Sequence, residues 1–475
     1  MLNRKIVFLL LMLFAFCRQT AYSAIESENY LTVKPFFILP GETIKVMLEI
    51  ENELDVYGYQ TEIVLPEGIT IPSTKIGTAV LYNKSILPVD DRMYGDADNF
   101  NLTAQRRADG SVMLLAYSDY YIPFEGNSGA VAEITLVADK NLQPGVYSLK
   151  LRNSEVTVKL DGEEVGATKA LTDIVAVCGT VSDDNGTVTL GGAFDEDALR
   201  VMNEKLATLD DVTVVDMNGV TLCEGKVVTV SPNALIYTKG AIGLTNETNV
   251  VSDGVCASLH IADGYQFVAD GEFQVTEAFY ERSLSAGKFG TVVLPFEPDA
   301  ETKGAYNFYT FASKGSNYIV FSLVTEPEAG VPYIYENVSA DPRNGFTASE
   351  CTVSDVITEQ ETSGWTMKGT YSSVLITEPD VLEHTYYVSS NKIMCATKEL
   401  RIKPFRAYMS GPAYTEAFGN GAQQAIAIHL DGTTSLDVLR DEAGKVSLIY
   451  DITGRQVSEG KSGIYVIDGK KYYKK

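Results

Sequence analysis

Between residues 29 and 70 the chain reads NYLTVKPFFILPGETIKVMLEIENELDVYGYQTEIVLPEGIT, and apolar and polar residues take turns through much of it. Ile44, Val46, Leu48 and Ile50 hold alternate positions, and Tyr59, Thr61, Ile63 and Leu65 do so again. A period of two sends one side of a strand into a core and the other into water, whereas a helix repeats every ~3.6 residues. The Pro40-Gly41 step supplies a turn, and Leu65-Pro66-Glu67-Gly68 an exit after the third strand. The chain therefore opens as a sheet with one buried face.

A second stretch, SVMLLAYSDYYIPFEGNSGAVAEITLVADKNLQPGVYSLKLRN at 111–153, continues that pattern. It carries a Tyr117-Ser118 strand end, a loop with Pro123-Phe124 and Gly126, a Ser128-Gly129 step and a Pro144-Gly145-Val146-Tyr147 turn. In this order, and together with 29–70, these residues resemble a cohesin-type β-sandwich. The resemblance implies a binding module whose partner is a dockerin-like protein, and it brings no catalytic residue.

The ends carry their own signals. Arg4 and Lys5 precede an apolar run from Ile6 to Cys17, and Ala21-Tyr22-Ser23 offers small residues for cleavage after Ser23. The run is shorter than the ~20 residues of a membrane span, so 1–23 reads as a signal peptide. No later stretch is apolar enough to span. A secreted or outer-membrane-surface protein is expected. With 475 residues there is room for two to four domains of roughly 100–200 residues. The net charge of −25 repels nucleic acid and anionic lipid alike, and neither is an expected partner. Cys178, Cys223, Cys256, Cys351 and Cys395 remain after signal removal, widely spaced and without a C-x-x-C, as expected of buried free thiols.

Beyond Val177 the texture changes. Asp184-Asn185-Gly186 signals a hairpin turn. A helix is expected at 195–209, acidic in its first turn and with Leu199, Met202, Leu206 and Leu209 at helical spacing. From 211 to 267 the strands shorten (VTVVD, KVVTV, ALIYT, NVVSD, ASLHI), with Asn218-Gly219, Ser231-Pro232-Asn233, Asn246 and Asp253-Gly254 at the corners. A few β-solenoid coils or a small sandwich both satisfy that spacing. The runs YERSLSAGKFGTVVLPF, EAGVPYIY, WTMKGTY and KPFRAY resemble a β-rich module of large secreted proteins of anaerobic Gram-negative bacteria. The ending SLIYDITGRQVSEGKSGIYVIDGKKYYKK resembles C-terminal sorting or capping tails of exported proteins in those bacteria, and reads equally as a closing hairpin. The expected organisation is all-β and multidomain: signal peptide 1–23, cohesin-like β-sandwich 24–177, helix plus short β-solenoid-like region 178–272, a further β-sandwich or β-rich aromatic module 273–425, and a β-hairpin tail 426–475.

Motifs for catalysis are missing. The three histidines, His260, His384 and His429, are far apart, and no HExxH, nucleophile elbow, P-loop or Rossmann fingerprint occurs. With 63 acidic residues, chance carboxylate pairs say nothing of glycosidase chemistry. The acidic loop at 90–99 lacks EF-hand spacing and is intruded on by Arg92, so a solvated loop is the plainer reading. No enzyme, cofactor or metal is expected.

Two candidate surfaces follow. Alternation on the third strand turns Gln60 and Glu62 outward, and laying the chain against the cohesin pattern turns Met113, Leu115 and Tyr117 outward beside them. That mix suits a partner-binding face with an apolar centre and polar rim. A register shifted by one residue would instead expose Leu114 and bury Leu115. Tyr120, Tyr121 and Phe124, near Tyr117, form a glycan-binding candidate, since flat aromatic faces stack on sugar rings; plugging the sandwich end is the competing role for Tyr117 and Phe124. The expected function is non-catalytic binding of a protein partner or a polysaccharide, in polysaccharide utilisation. A carbohydrate-binding adhesin and an enzyme with an unrecognised site are the alternatives.

Overall fold

The computed structural model describes residues 30–72, 85–89, 100–160, 163–167, 173–182, 186–315, 318–419, 425–431, 450–451, 463–467 and 470–474. The expected signal peptide, the acidic loop at 90–99, Asp184 and Asn185 lie outside them. The chain forms two compact units, one of Met1–Val181, Val188–Leu206 and Gly219–Gly225, the other of the remaining residues. Both are built mainly of strands, so the fold is all-β and multidomain.

Among the described residues, two sheets of the first unit are built from the strands β1 (Tyr30–Val33), β2 (Phe36–Ile38), β3 (Thr43–Glu51), β4 (Val56–Val64), β5 (Ile69–Thr70), β6 (Ile86–Pro88), β7 (Phe100–Arg106), β8 (Val112–Ser118), β9 (Ser128–Ala138), β10 (Gly145–Leu160), β11 (Glu163–Ala167) and β12 (Ile174–Cys178). One sheet has the order β1-β3-β9-β5, with β6 also on β9; the other runs β2-β12-β10-β4-β8-β7, with β11 on β10. Their inner faces share one core. Leu48, Ile50, Ile134 and Leu136 from the first sheet join Tyr59, Ile63, Leu114, Ala116 and Val156 from the second, all at most 1% exposed. The alternation read from the sequence sets this directly: Val46, Leu48, Ile50, Tyr59, Thr61 and Ile63 are buried.

Thr61 is a polar member of that buried row, and a β-bulge accounts for it. The β10–β4 register slips between Arg152 and Glu155. At the slip Asn153 takes a left-handed backbone (φ 52°), and the Ser154 hydroxyl meets the Thr61 hydroxyl at 2.7 Å. The half-buried Ser154 hydroxyl satisfies the buried Thr61 hydroxyl, which removes most of the penalty of placing the latter in the core.

The expected helix spans Glu196–Leu206, shorter at its C-terminal end than the sequence pattern suggested. Asp195 caps it, its carboxylate accepting from the Ala198 N–H at 2.8 Å. Ala198, Val201, Met202 and Leu206 form the buried stripe, whereas Leu199 is half-buried and Leu209 falls past the helix end.

In the second unit, Val214–Met217, Leu235–Thr238 and Val250–Ser252 stack in parallel, as a solenoid requires. The stack ends at Asp253-Gly254, both at positive φ (49° and 81°), where the chain reverses into Val255–Ala262. Buried asparagines hold the corners. Asn249 donates to the carbonyls of Pro232 and His260 and accepts from the His260 N–H; Asn233 makes the same three-bond pattern with Ala262 and Tyr265. The run KVVTV is not a strand. Its Val227 backbone pairs with the Asn246 side-chain amide, which accepts at 2.9 Å and donates at 2.9 Å, so an amide replaces a neighbouring strand.

The expected boundary at 272 cuts a continuous sheet, because Val255–Ala262 pairs in parallel with Phe273–Leu284, which then pairs with Arg343–Val353. Two further sheets, one containing Phe289–Val293, Tyr306–Lys314, Tyr318–Val324 and Pro332–Asn337, the other Trp365–Thr370, Thr385–Ser389 and Arg406–Ser410, carry the aromatic-rich cores. Strand pairing also crosses the expected limit at 425, since Ala427–Asp431 adds in parallel to Tyr318–Val324. In the tail, Gly463–Ile467 and Lys470–Lys474 form the expected hairpin, and Tyr450–Asp451 adds a third antiparallel strand.

Candidate partner-binding face

β8 lies between β4 and β7 in the seven-stranded sheet, and its alternation is strict. Val112, Leu114, Ala116 and Ser118 point inward and are at most 3% exposed, while Met113, Leu115 and Tyr117 point to the other side and are partly exposed. The register is the one that buries Leu114 and turns Leu115 out. Pairing across the sheet lines up three outward rows: Asn101, Tyr117, Gly58 and Thr157; Thr103, Leu115, Gln60 and Glu155; Gln105, Met113, Glu62 and Arg152. Gly58 sits in the first row because a Cβ there would lie 2.7 Å from the Ala116 carbonyl oxygen. The centre of the face is thus Leu115 and Met113, flanked by amides, a threonine and a tyrosine.

Glu62 departs from its expected role. Its side chain is on the outward row, yet it is 9% exposed and saturated by the chain's own donors. Arg152 donates from Nε at 2.8 Å and from Nη2 at 2.9 Å, Ser111 Oγ at 2.6 Å and Asn153 Nδ2 at 2.9 Å. Arg152 in turn pairs with Asp109. The Arg152 hydrogen bonds, helped by Ser111 and Asn153, hold the Glu62 carboxyl down at about 2. Such a group is a staple across β4, β8 and β10, and a partner would find no vacant lone pair on it. Gln60 is the more available polar group; its amide donates to Glu155 at a long 3.4 Å. Burial pushes the Tyr117 phenol up, with the Asp119 charge adding to it.

The aromatic candidates divide. Phe124 is 3% exposed, its ring stacked on Phe100 at 4.3 Å and tilted against Tyr59 at 6.0 Å, so it plugs the core and offers no face to a sugar. Tyr120 and Tyr121 are 69% and 45% exposed. The loop carrying them is held by Ser118, whose hydroxyl accepts from the Tyr120 and Ile122 N–H groups at 3.3 and 2.9 Å. Lys159 Nζ lies 5.1 Å from the Tyr121 ring centroid and 4.7 Å from that of Tyr57. One face of Tyr121 is therefore already covered by an ammonium. The three histidines stay dispersed: His260 stacks on Phe279, His384 contacts the Gly411 carbonyl and His429 stacks on Tyr318.

Sequence reasoning missed Arg152, Asn153, Ser111 and Asp109. A signal was present: Leu149 and Leu151 occupy odd positions, Val156 and Val158 even ones, and only an inserted residue can keep both pairs inside.

No protein-family model matches the chain, and no curated protein matches it in sequence. Among solved structures, it is similar to the seventh ScaB type I cohesin from Pseudobacteroides cellulosolvens, at 14% identity and a TM-score of 0.27, over 33% of this chain and 95% of that one. It is similar to CaCohA2 from Clostridium acetobutylicum at 17% identity and a TM-score of 0.26, over 32% of this chain and 92% of that one. The Coh-OlpA-Doc918 cohesin–dockerin complex from Clostridium thermocellum matches at 13% identity and a TM-score of 0.25, over 32% of this chain and 98% of that one.

Proposed function

We propose that the first unit is a non-catalytic protein-binding module of a secreted or surface-held chain, and that the outward face of β4, β8 and β7 takes a dockerin-like partner. The observation that carries this reading is the Met113–Leu115–Tyr117 row. An apolar centre lies on an antiparallel sheet, rimmed by Asn101, Thr103, Gln105 and Gln60, while Glu62 and Arg152 beside it are already paired with one another. Such a face gains affinity by desolvating its centre and specificity from its amides. The sequence resemblance to cohesins supports the partner class, and the features of residues 1–23 support export. A role in polysaccharide utilisation follows from the same resemblance. Phe124 in the core and Lys159 over Tyr121 weigh against a sugar platform at this end of the sandwich.

The test is Leu115→Arg in the full chain. The variant should keep its melting temperature within a few degrees of wild type and lose capture of dockerin-type proteins from a surface extract. Intact capture by a folded variant refutes the face. Retention of the wild-type protein on a polysaccharide panel, unaffected by Leu115→Arg but abolished by Tyr120→Ala, would transfer the reading to the glycan candidates.

A further inference from the structure

Three of the sequence runs noted above converge on one cluster in the second unit. From YERSLSAGKFGTVVLPF come Tyr280, Arg282 and Thr291, from EAGVPYIY comes Tyr335, and from KPFRAY comes Arg406. Arg406 donates through Nη1 to the Tyr280 hydroxyl at 2.7 Å and through Nη2 to Asp263 at 2.9 Å, and Tyr280 itself donates to Asp263 at 2.6 Å. Asp263 is hydrogen-bonded to Arg406 and also feels the charge of Arg282. Among the described residues no carboxylate hydrogen-bonds to Arg282. Its Nη1 donates to the Thr291 carbonyl at 2.9 Å, and its guanidinium carbon lies 5.1 Å from the Tyr335 ring centroid. Among the described residues it makes no ion pair.

The cluster therefore holds two guanidinium groups against one carboxylate, in a chain whose net charge is −25. Tyr280 and Tyr335, 0% and 5% exposed, set aromatic rings against it. A partly buried, unneutralised charge is unfavourable, and the mutual repulsion of Arg282 and Arg406 adds to that. The surplus is one positive charge. A planar monoanion fits the guanidinium fork, whose parallel N–H groups match two carboxylate oxygens. We propose that Arg282, backed by Arg406, is a binding site for a carboxylate-bearing ligand, with Tyr335 orienting the Arg282 plane and Asp263 setting the surplus at one charge.

The full chain titrated with carboxyl-13C acetate at constant ionic strength tests this through the acetate line width. Wild type should broaden the signal saturably. Arg282→Met should weaken binding by at least tenfold, and Asp263→Asn, which raises the surplus, should strengthen it. If circular dichroism shows Arg282→Met unfolded, Arg282→Lys is read in its place: it keeps the charge but loses the fork, and weaker binding is again expected. Equal broadening by wild type and a folded Arg282 variant overturns the site. Displacement of acetate by an equal concentration of chloride overturns the carboxylate assignment.

Discussion

Arg152→Met isolates the staple beneath the candidate face, because it removes the main partner of Glu62 and leaves that carboxylate in place. The Glu62 carboxyl is lowered from an ordinary 4.5 to about 2. A shift of that size corresponds to about 3 kcal/mol of differential interaction at ~1.36 kcal/mol per unit. Arg152 is 47% exposed on its side chain, so solvent screening reduces the attainable effect to about 1–2 kcal/mol. Because the folded value lies below the unfolded one, this stability is complete above about pH 4.5 and fades as pH falls toward 2. Urea unfolding of wild type and variant at pH 7 and pH 3 measures it. The gap should be about 1–2 kcal/mol at pH 7 and less than half of that at pH 3, since acid effects elsewhere are common to both chains. A gap equal at the two pH values, or below ~0.3 kcal/mol at pH 7, refutes the staple.

Leu114→Ala, opening a cavity in the fully buried row of β8, should lose about 2–5 kcal/mol in urea unfolding, whereas Leu115→Ala on the opposite side should lose less than about 1.5 kcal/mol; reversed sensitivities would mark the wrong register. Gly58→Ala places a methyl against the Ala116 carbonyl, a backbone atom that cannot swing away, and should lower stability by about 1–3 kcal/mol, detected as a lower melting temperature. Asn249→Ala strips the Pro232 and His260 carbonyls and the His260 N–H of their partner and should cost about 2–4 kcal/mol, with faster hydrogen exchange at His260; unchanged exchange there would deny the amide its bracing role. The five cysteines among the described residues are buried and free, and burial pushes Cys178, Cys256, Cys351 and Cys395 up to about 11, so a thiol reagent at pH 8 should modify these five only on unfolding.

The sandwich was legible because a single rule, alternation, decides both which residues are strand and which side they bury. Ile44 through Ile50 and Tyr59 through Ile63 obeyed it, whereas on β8 alternation alone left two registers open, one exposing Leu115 and the other Leu114. What escaped depends on contacts distant in sequence. Glu62 reads as an exposed acid until Arg152, some 90 positions later, is laid across it. The β-propensity of three valines and a threonine misled at KVVTV, Lys226 to Val230, where no strand was available and Asn246 substituted for one. Strand pairing across 272 and 425 escaped for a related reason: short parallel strands join a sheet through neighbours that sequence order does not reveal.

The bulge at Asn153 and Ser154 makes chain length itself a constrained quantity. Substitutions in this stretch can be graded in their effects, since each residue serves one side of the sheet. Losing a single residue between Arg152 and Glu155 would instead rotate everything downstream by half a turn, carrying Val156 and Val158 to the solvent and Thr157 and Lys159 to the interior. Among natural variants of this chain, that stretch should tolerate changes of letter and resist changes of count.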